Sequence, residues 1–262
     1  MRKDIFLEYK FGDYDNVVLR SSGANEVVAW MENLNPHRIE QLKKWGVRIG
    51  LSFAATAHGV CPLDPTTKIR LEKLLMQAAN DGPDFLCLDH LRFDGYWEGI
   101  NNTGEMPDTH PPCQYCQDSN RSKSIVELAG WIKEKLPSNI ELGYFAVPFY
   151  PEHLQILGQD HQKLAAHCDF TSPMLYQRMI GKPVGYIHEY TGYLADLTHK
   201  PVIPAIAVKD MPDNLEDKID EVVLQQEYEQ ATLPPSAGVC WFSWDGAIEK
   251  HKSQTLATIW SK

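Results

Sequence analysis

Phe85-Leu86-Cys87-Leu88-Asp89-His90-Leu91-Arg92-Phe93-Asp94 passes from an unbroken apolar run into an acid, a histidine and an arginine. An apolar run without polar alternation is what a strand buried on both faces requires, and such strands belong to parallel sheets covered by helices. The change of polarity at Asp89 marks where that strand reaches solvent. Comparable runs lie at residues 17–21, 47–54, 140–147, 170–176, 201–208 and 238–244, with stretches of helical character between them. This alternation predicts a TIM-type (β/α)8 barrel with seven clear strand–helix units. Residues 5–9 are the candidate eighth strand. About seven residues separate them from residue 17, fewer than the dozen a helical crossover takes, so this strand is expected to be antiparallel or to plug the barrel floor.

The helices carry readable starts. Asn35-Pro36 and Asp64-Pro65 each place a capping side chain before a proline at the first helical position. Asp213-x-x-Glu216 has the form of a capping box, and Ile219, Val222 and Val223 follow as a core stripe. At 262 residues, 43% apolar and 23% charged, the chain suits one barrel domain spanning 1–262. Its net charge of −10, with both signs interspersed, argues against nucleic acid or an anionic membrane as partner. The N-terminus lacks a signal-peptide apolar run and no segment approaches transmembrane length, so a soluble cytoplasmic protein is expected. Oligomeric state is not legible.

The one long irregular stretch, residues 96–119, follows the strand that ends at Asp89, on the face where barrel enzymes keep their βα loops. A carboxylate at the rim of an apolar strand is raised in pKa by desolvation, as a general acid requires, while Arg92 could tune it back or hold a substrate oxygen. Asp89 is therefore the leading catalytic candidate, with Asp245, Glu8, Asp94 and Glu98 as possible second carboxyls. Arg20, Ser52, His58, His90, Tyr150, Gln177 and Arg178 lie near strand ends or in adjoining loops as possible ligand contacts. Nucleotide-binding, serine-hydrolase and zincin motifs are absent from the sequence.

Of six cysteines, Cys61, Cys87, Cys168 and Cys240 are scattered and read as buried thiols. Cys113-Gln-Tyr-Cys116 has the spacing of half a zinc site, with His110 as a third ligand and His90 or His58 as a possible fourth. A disulfide and two free thiols are the alternatives.

Asp84 to Phe93 resembles the DGIxxDYxRFP strand of the glycoside-hydrolase-like (β/α) barrels, departing from it at Phe85, His90 and, one residue further on, Asp94. Cys168-Asp-Phe-Thr-Ser-Pro-Met-Leu-Tyr176 resembles their vDxixPMxY strand, and Gly238-Val-Cys-Trp-Phe-Ser-Trp244 their last strand. The resemblance spans roughly residues 47–246 and implies that Asp89 is the catalytic acid. It also implies a cysteine-rich knuckle after this strand, ordered by a metal or a disulfide. A more distant similarity to family 18 chitinases sets Leu91 where their catalytic glutamate stands, which disfavours substrate-assisted chemistry.

The resemblance thus implies a glycoside hydrolase acting on an oligo- or polysaccharide by carboxylate acid/base catalysis, needing no cofactor for the chemistry. Such catalysis takes two carboxyl groups, and Asp245 ranks first as the partner of Asp89. Sugar sites also use aromatic rings, here Tyr96, Trp97, Tyr144, Tyr176, Trp241 and Trp244, although strand alternation keeps Trp241 and Trp244 from both facing the mouth. Trp30, Trp45, Trp131 and Trp260 are assigned to packing. The alternatives are a non-catalytic glycan-binding barrel and a metal-dependent hydrolase built on His58, His90, Asp89 and the cysteine loop.

Overall fold

The computed structural model describes residues 1–7, 22–33, 36–56, 59–94, 110, 113–149, 154–210 and 217–261. Its strands are β1 (Arg2–Leu7), β2 (Glu26–Trp30), β3 (Arg48–Ala54), β4 (Phe85–Asp89), β5 (Glu141–Ala146), β6 (Phe170–Pro173), β7 (Ala205–Ala207) and β8 (Gly238–Phe242). They form one eight-stranded sheet in the order β6-β5-β4-β3-β2-β1-β8-β7, and every paired neighbour is parallel. The two ends of the strip meet through bridges Thr171–Val202 and Met174–Ala205, where Ile203 N donates to Thr171 O at 2.9 Å and Leu175 N to Ala205 O at 2.8 Å. The result is a nearly closed TIM-type (β/α)8 barrel.

Alternating with the strands are α1 (Pro36–Lys44), α2 (Pro65–Asp81), α3 (Arg121–Lys135), α4 (His161–Leu164), α5 (Tyr186–Thr198), α6 (Glu221–Thr232), α7 (Trp244–Glu249) and α8 (Ser253–Trp260). Asp64 caps α2 as its sequence predicts, accepting from Thr66 N at 2.8 Å. Helix α6 is capped by Asp220; the expected Asp213–Glu216 box and Asn35 lie outside the described residues. Of the predicted stripe, Ile219 is buried in the core and Val223 packs against it, but Val222 is corrected: it is 62% exposed, and the buried face of α6 is Leu224, Glu227 and Ala231. Among the described residues no helix is long and apolar enough to cross a membrane.

The first two strands differ from the sequence expectation. Strand β1 is a full parallel member, paired with β2 on one side and β8 on the other, not an antiparallel strand or a floor plug. The second strand is Glu26–Trp30, and the run at 17–21 lies outside the described residues. Leu7 and Glu26 are far enough apart in sequence for a parallel crossover, which removes the objection that 5–9 stood too near 17.

Alternation along each strand decides what faces the barrel interior. Arg2, Phe85 and Phe170 come from strands that are not neighbours, yet the Arg2 guanidinium lies 4.7 and 4.5 Å from the two ring centres, and the rings are 5.6 Å apart. Only the interior brings them together. Gly50 and Gly143 make room for these rings, because a Cβ would lie 2.2 Å from Phe85 and 2.3 Å from Phe170. Below them Glu26 joins Arg2 and Arg48 at 2.5 Å each, and Arg48 reaches Glu141 at 3.0 Å. A depression of about 740 Å³ opens on this N-terminal face, which in TIM barrels serves stability rather than chemistry. Asp4, buried just above, has its carboxyl pushed well up by burial, reinforced by hydrogen bonding to and the charge of Glu26.

Candidate active site and metal centre

Asp89 is the last residue of β4, four residues after inward-facing Phe85, so alternation points it into the barrel at the C-terminal mouth. The chain then leaves the strand through His90 at φ 46°, a left-handed conformation that costs a non-glycine residue about 1–2 kcal/mol. That turn folds the imidazole back: His90 Nδ1 lies 3.0 Å from Asp89 Oδ2, and His90 N donates to Asp89 Oδ1 at 2.8 Å. Buried Arg92 places a guanidinium nitrogen 3.2 Å from His90 Nε2.

The loop after β3 holds this turn in place. Thr56 Oγ1 is 2.6 Å from the His90 carbonyl and 2.7 Å from that of Arg92, so one hydroxyl proton is shared between them. Thr56 N and Ala55 N donate to the carbonyls of His90 and Asp89 at 3.1 and 2.7 Å, and Gly59 N donates to Asp94 Oδ2 at 2.5 Å. Asp94, expected as a possible second carboxyl, is thus engaged in tying the two loops.

Of the two opposed effects expected from the sequence, desolvation and tuning by a nearby cation, the second prevails. Burial does push the Asp89 carboxyl up, but the side-chain hydrogen bond and charge of His90, its backbone N–H and the charge of Arg92 outweigh it, leaving the pKa below its ordinary value. Asp89 is poised as an ionised carboxylate. Asp245, the expected partner, is buried in the first turn of α7, which is capped by Ser243 immediately after β8. Glu8, Arg20, His58, Tyr96, Trp97, Glu98 and Tyr150 lie outside the described residues.

The aromatics sort differently from the expectation. Tyr144 is buried against α4, its hydroxyl 2.9 Å from His161 Nδ1 and its ring stacked on the imidazole. Trp241 stacks on Tyr228 of α6 at 6.0 Å and meets Trp260 of α8 at 6.3 Å. Both therefore face the helices, and fully buried Trp244 belongs to the core. The interior wall near the mouth is built from Phe6, Trp30, Phe145 and Phe242, with Phe6 5.7 Å from Trp30, 5.7 Å from Phe145 and 5.0 Å from Phe242. Tyr176 packs on Phe242 at 5.2 Å, so of the ring candidates on described residues it is the one that joins this wall. Trp30 and Phe242, each the last residue of its strand and partly exposed, were missed. Trp30 would have been found by reading 26–30 as a strand, and Phe242 by placing the interior face on 240 and 242 instead of 241. Among the lesser candidates, Arg178 pairs with Asp210 at 2.6 Å, and Ser52 is buried in the barrel wall.

Beside this site, Cys61, His110, Cys113 and Cys116 bring four donor atoms within 4.8 Å of one another, a group that could hold a metal ion such as zinc. Cys113 Sγ and Cys116 Sγ are 3.6 Å apart, too far for a disulfide, and all six cysteines are free thiols. His110 Nε2 is 3.6 Å from Cys116 Sγ. The fourth donor is Cys61, read from sequence as an ordinary buried thiol; His90 is instead engaged with Asp89. Burial pushes the Cys61 thiol up to about 12, whereas Cys113 is drawn below its ordinary value, chiefly by the Tyr115 backbone N–H.

No protein-family model matches the sequence, and the comparison with curated proteins finds no match. Solved structures do match in fold. A chitinase from Bacteroides thetaiotaomicron superposes with a TM-score of 0.65 at 9% identity, covering 99% of this chain and 96% of that one. A glycoside hydrolase family 18 N-acetylglucosaminidase from Paenibacillus barengoltzii gives 0.65 at 10%, covering 98% and 99%. The glycoside hydrolase domain of PelA from Pseudomonas aeruginosa gives 0.58 at 10%, covering 93% and 96%. The chain is a TIM-type barrel similar in fold to glycoside hydrolases. Within that class it is similar to chitinases and to the PelA domain at an identity that speaks for the fold alone.

Proposed function

We propose that this barrel is a glycoside hydrolase acting on an oligo- or polysaccharide. The observation that carries the reading is the Asp89 carboxyl, held by His90, itself met by Arg92, at the mouth of a barrel whose wall there carries inward-facing rings. A sugar presents C–H faces to rings and hydroxyls to charged groups, and this mouth offers both. Asp89 serves as the ionised member of the carboxyl pair, as base or nucleophile, and buried Asp245 is the proposed proton donor. The chemistry proposed differs from that of family 18, because the sequence resemblance sets Leu91, an apolar residue buried in the core, where the catalytic glutamate of that family stands.

No metal is needed for these steps. The Cys/His group is read as a structural zinc centre, because a set of four protein donors leaves no position for a reactive water. A metal-dependent hydrolase using His90 draws no support, as both ring nitrogens of His90 already meet Asp89 and Arg92.

The test is hydrolysis of a panel of aryl glycosides and oligosaccharides by the wild type, Asp89→Asn and Asp245→Asn. The reading expects activity on at least one substrate and its loss in both variants. Glycan binding without turnover, equal in wild type and Asp89→Asn, would replace it with a binding barrel.

A further inference from the structure

Cys113 and Cys116 lie on one tight turn, where Cys116 N and Gln117 N both donate to the Cys113 carbonyl at 3.0 and 2.9 Å, and Cys113 N donates to Cys116 Sγ at 3.5 Å. His110 is fixed from outside the turn, since Arg121 of α3 donates to its carbonyl at 2.6 Å. Cys61 comes from a different loop, between β3 and α2. Its carbonyl accepts from Asp64 N at 2.9 Å and from Thr67 Oγ1 at 3.0 Å, which ties it to the start of α2. A tetrahedron with metal–sulfur bonds of about 2.3 Å has edges of about 3.8 Å. The two separations of 3.6 Å match such edges closely.

Two arms lead from this centre to the Asp89 site. The His110 ring meets Phe93 edge-on at 5.3 Å, and the Arg121 guanidinium lies over the same ring at 5.0 Å. Phe93 sits between Arg92 and Asp94. The Cys61 loop supplies the other arm, through Gly59 to Asp94 and through Thr56 to the carbonyls of His90 and Arg92. Both arms end on the residues that fold the His90 imidazole onto Asp89.

We propose that Cys61, His110, Cys113 and Cys116 bind one zinc ion as three thiolates and one imidazole, and that this ion is a clasp holding the Asp89–His90–Arg92 array in its shape. Zinc replaces the three thiol protons, which pass to solvent. The four ligands act as positioning residues, reaching the carboxylate through Phe93, Asp94 and Thr56. The clasp deepens the hydrolase reading of the same site, but its test needs no substrate.

Metal analysis of protein purified without added metal is expected to find one zinc per chain. In cobalt-substituted protein, Cys61→Ser should remove about a third of the thiolate charge-transfer intensity and weaken metal affinity at least about tenfold, and Cys61→His should recover the affinity but not the intensity. Removing zinc from the wild type with a chelator should speed amide exchange at Thr56 and Gly59 at least about tenfold while β5 and β6 keep their protection. Absence of stoichiometric metal, or full affinity and spectrum in Cys61→Ser, would overturn the four-ligand centre. Unchanged exchange at Thr56 and Gly59, or equal loss throughout β5 and β6, would overturn the clasp. A failed glycoside screen would strike the hydrolase reading and leave these readouts untouched.

Discussion

Glu227 sits on the buried face of α6 with 1% of its surface exposed, and neither carboxyl oxygen meets a donor at hydrogen-bonding geometry. Burial pushes its pKa from 4.5 up to about 8; Asp210 adds to the rise, and the Gln177 side chain, Arg178 and Lys252 offset part of it. Below the unfolded value both states hold the proton and no penalty exists. As pH rises past it, the unfolded chain releases the proton and the folded chain keeps it, so stability falls until pH passes the folded value and then levels off. At about 1.36 kcal/mol per unit the loss comes to about 3 kcal/mol by pH 7 and roughly 5 kcal/mol by about pH 8. Glu227→Gln has nearly the same shape and no proton to lose. Urea unfolding of both proteins from about pH 5 to about pH 8.5 isolates Glu227 in the difference, because every other titrating group cancels. The variant should match the wild type near pH 5 and exceed it by several kcal/mol near pH 8. Parallel curves across that range would refute the argument that burial governs this carboxyl.

Three further outcomes follow from the site and the core. Asp89→Asn should lower hydrolysis by about 10²-fold or more, and because the Asp89 pKa is depressed, wild-type activity should keep this carboxylate ionised into acid below its ordinary range, as a pH–rate profile would show. Trp30→Ala should weaken glycan affinity about tenfold in titration calorimetry, whereas Trp241→Ala should cost about 3–5 kcal/mol of stability and leave affinity unchanged. Gly50→Ala, which would set a Cβ 2.2 Å from the Phe85 ring, should destabilise by about 1–3 kcal/mol or more in thermal unfolding.

The barrel was legible because buried parallel strands leave long apolar runs, and Asp89 stood out as the break in one of them. Strand β2 was hidden for a local reason: it opens on Glu26, whose charge is met by Arg2 and Arg48 from two other strands, a pairing that sequence spacing does not reveal. The same limit applies to Cys61, which is distant in sequence from Cys113 and joins it only through the fold. Trp241 and Phe242 show how a one-residue choice of facing moves a ring from the mouth to the helices. The direction of the Asp89 shift was out of reach because it depends on the left-handed φ of His90, which nothing in a string of residue types announces.

Seven of the eight joints around the barrel are ladders of paired residues, and the eighth, between β6 and the three-residue β7, is a pair of isolated bridges with a few hydrogen bonds. A ring with one thin joint has a preferred direction of opening. Tyr176, Gln177 and the Arg178–Asp210 pair lie beside that joint, and the Tyr176 ring rests on Phe242 across it. Thermal breathing of the wall should therefore concentrate at this joint, leaving β4 and Asp89 in the part of the ring closed by continuous ladders.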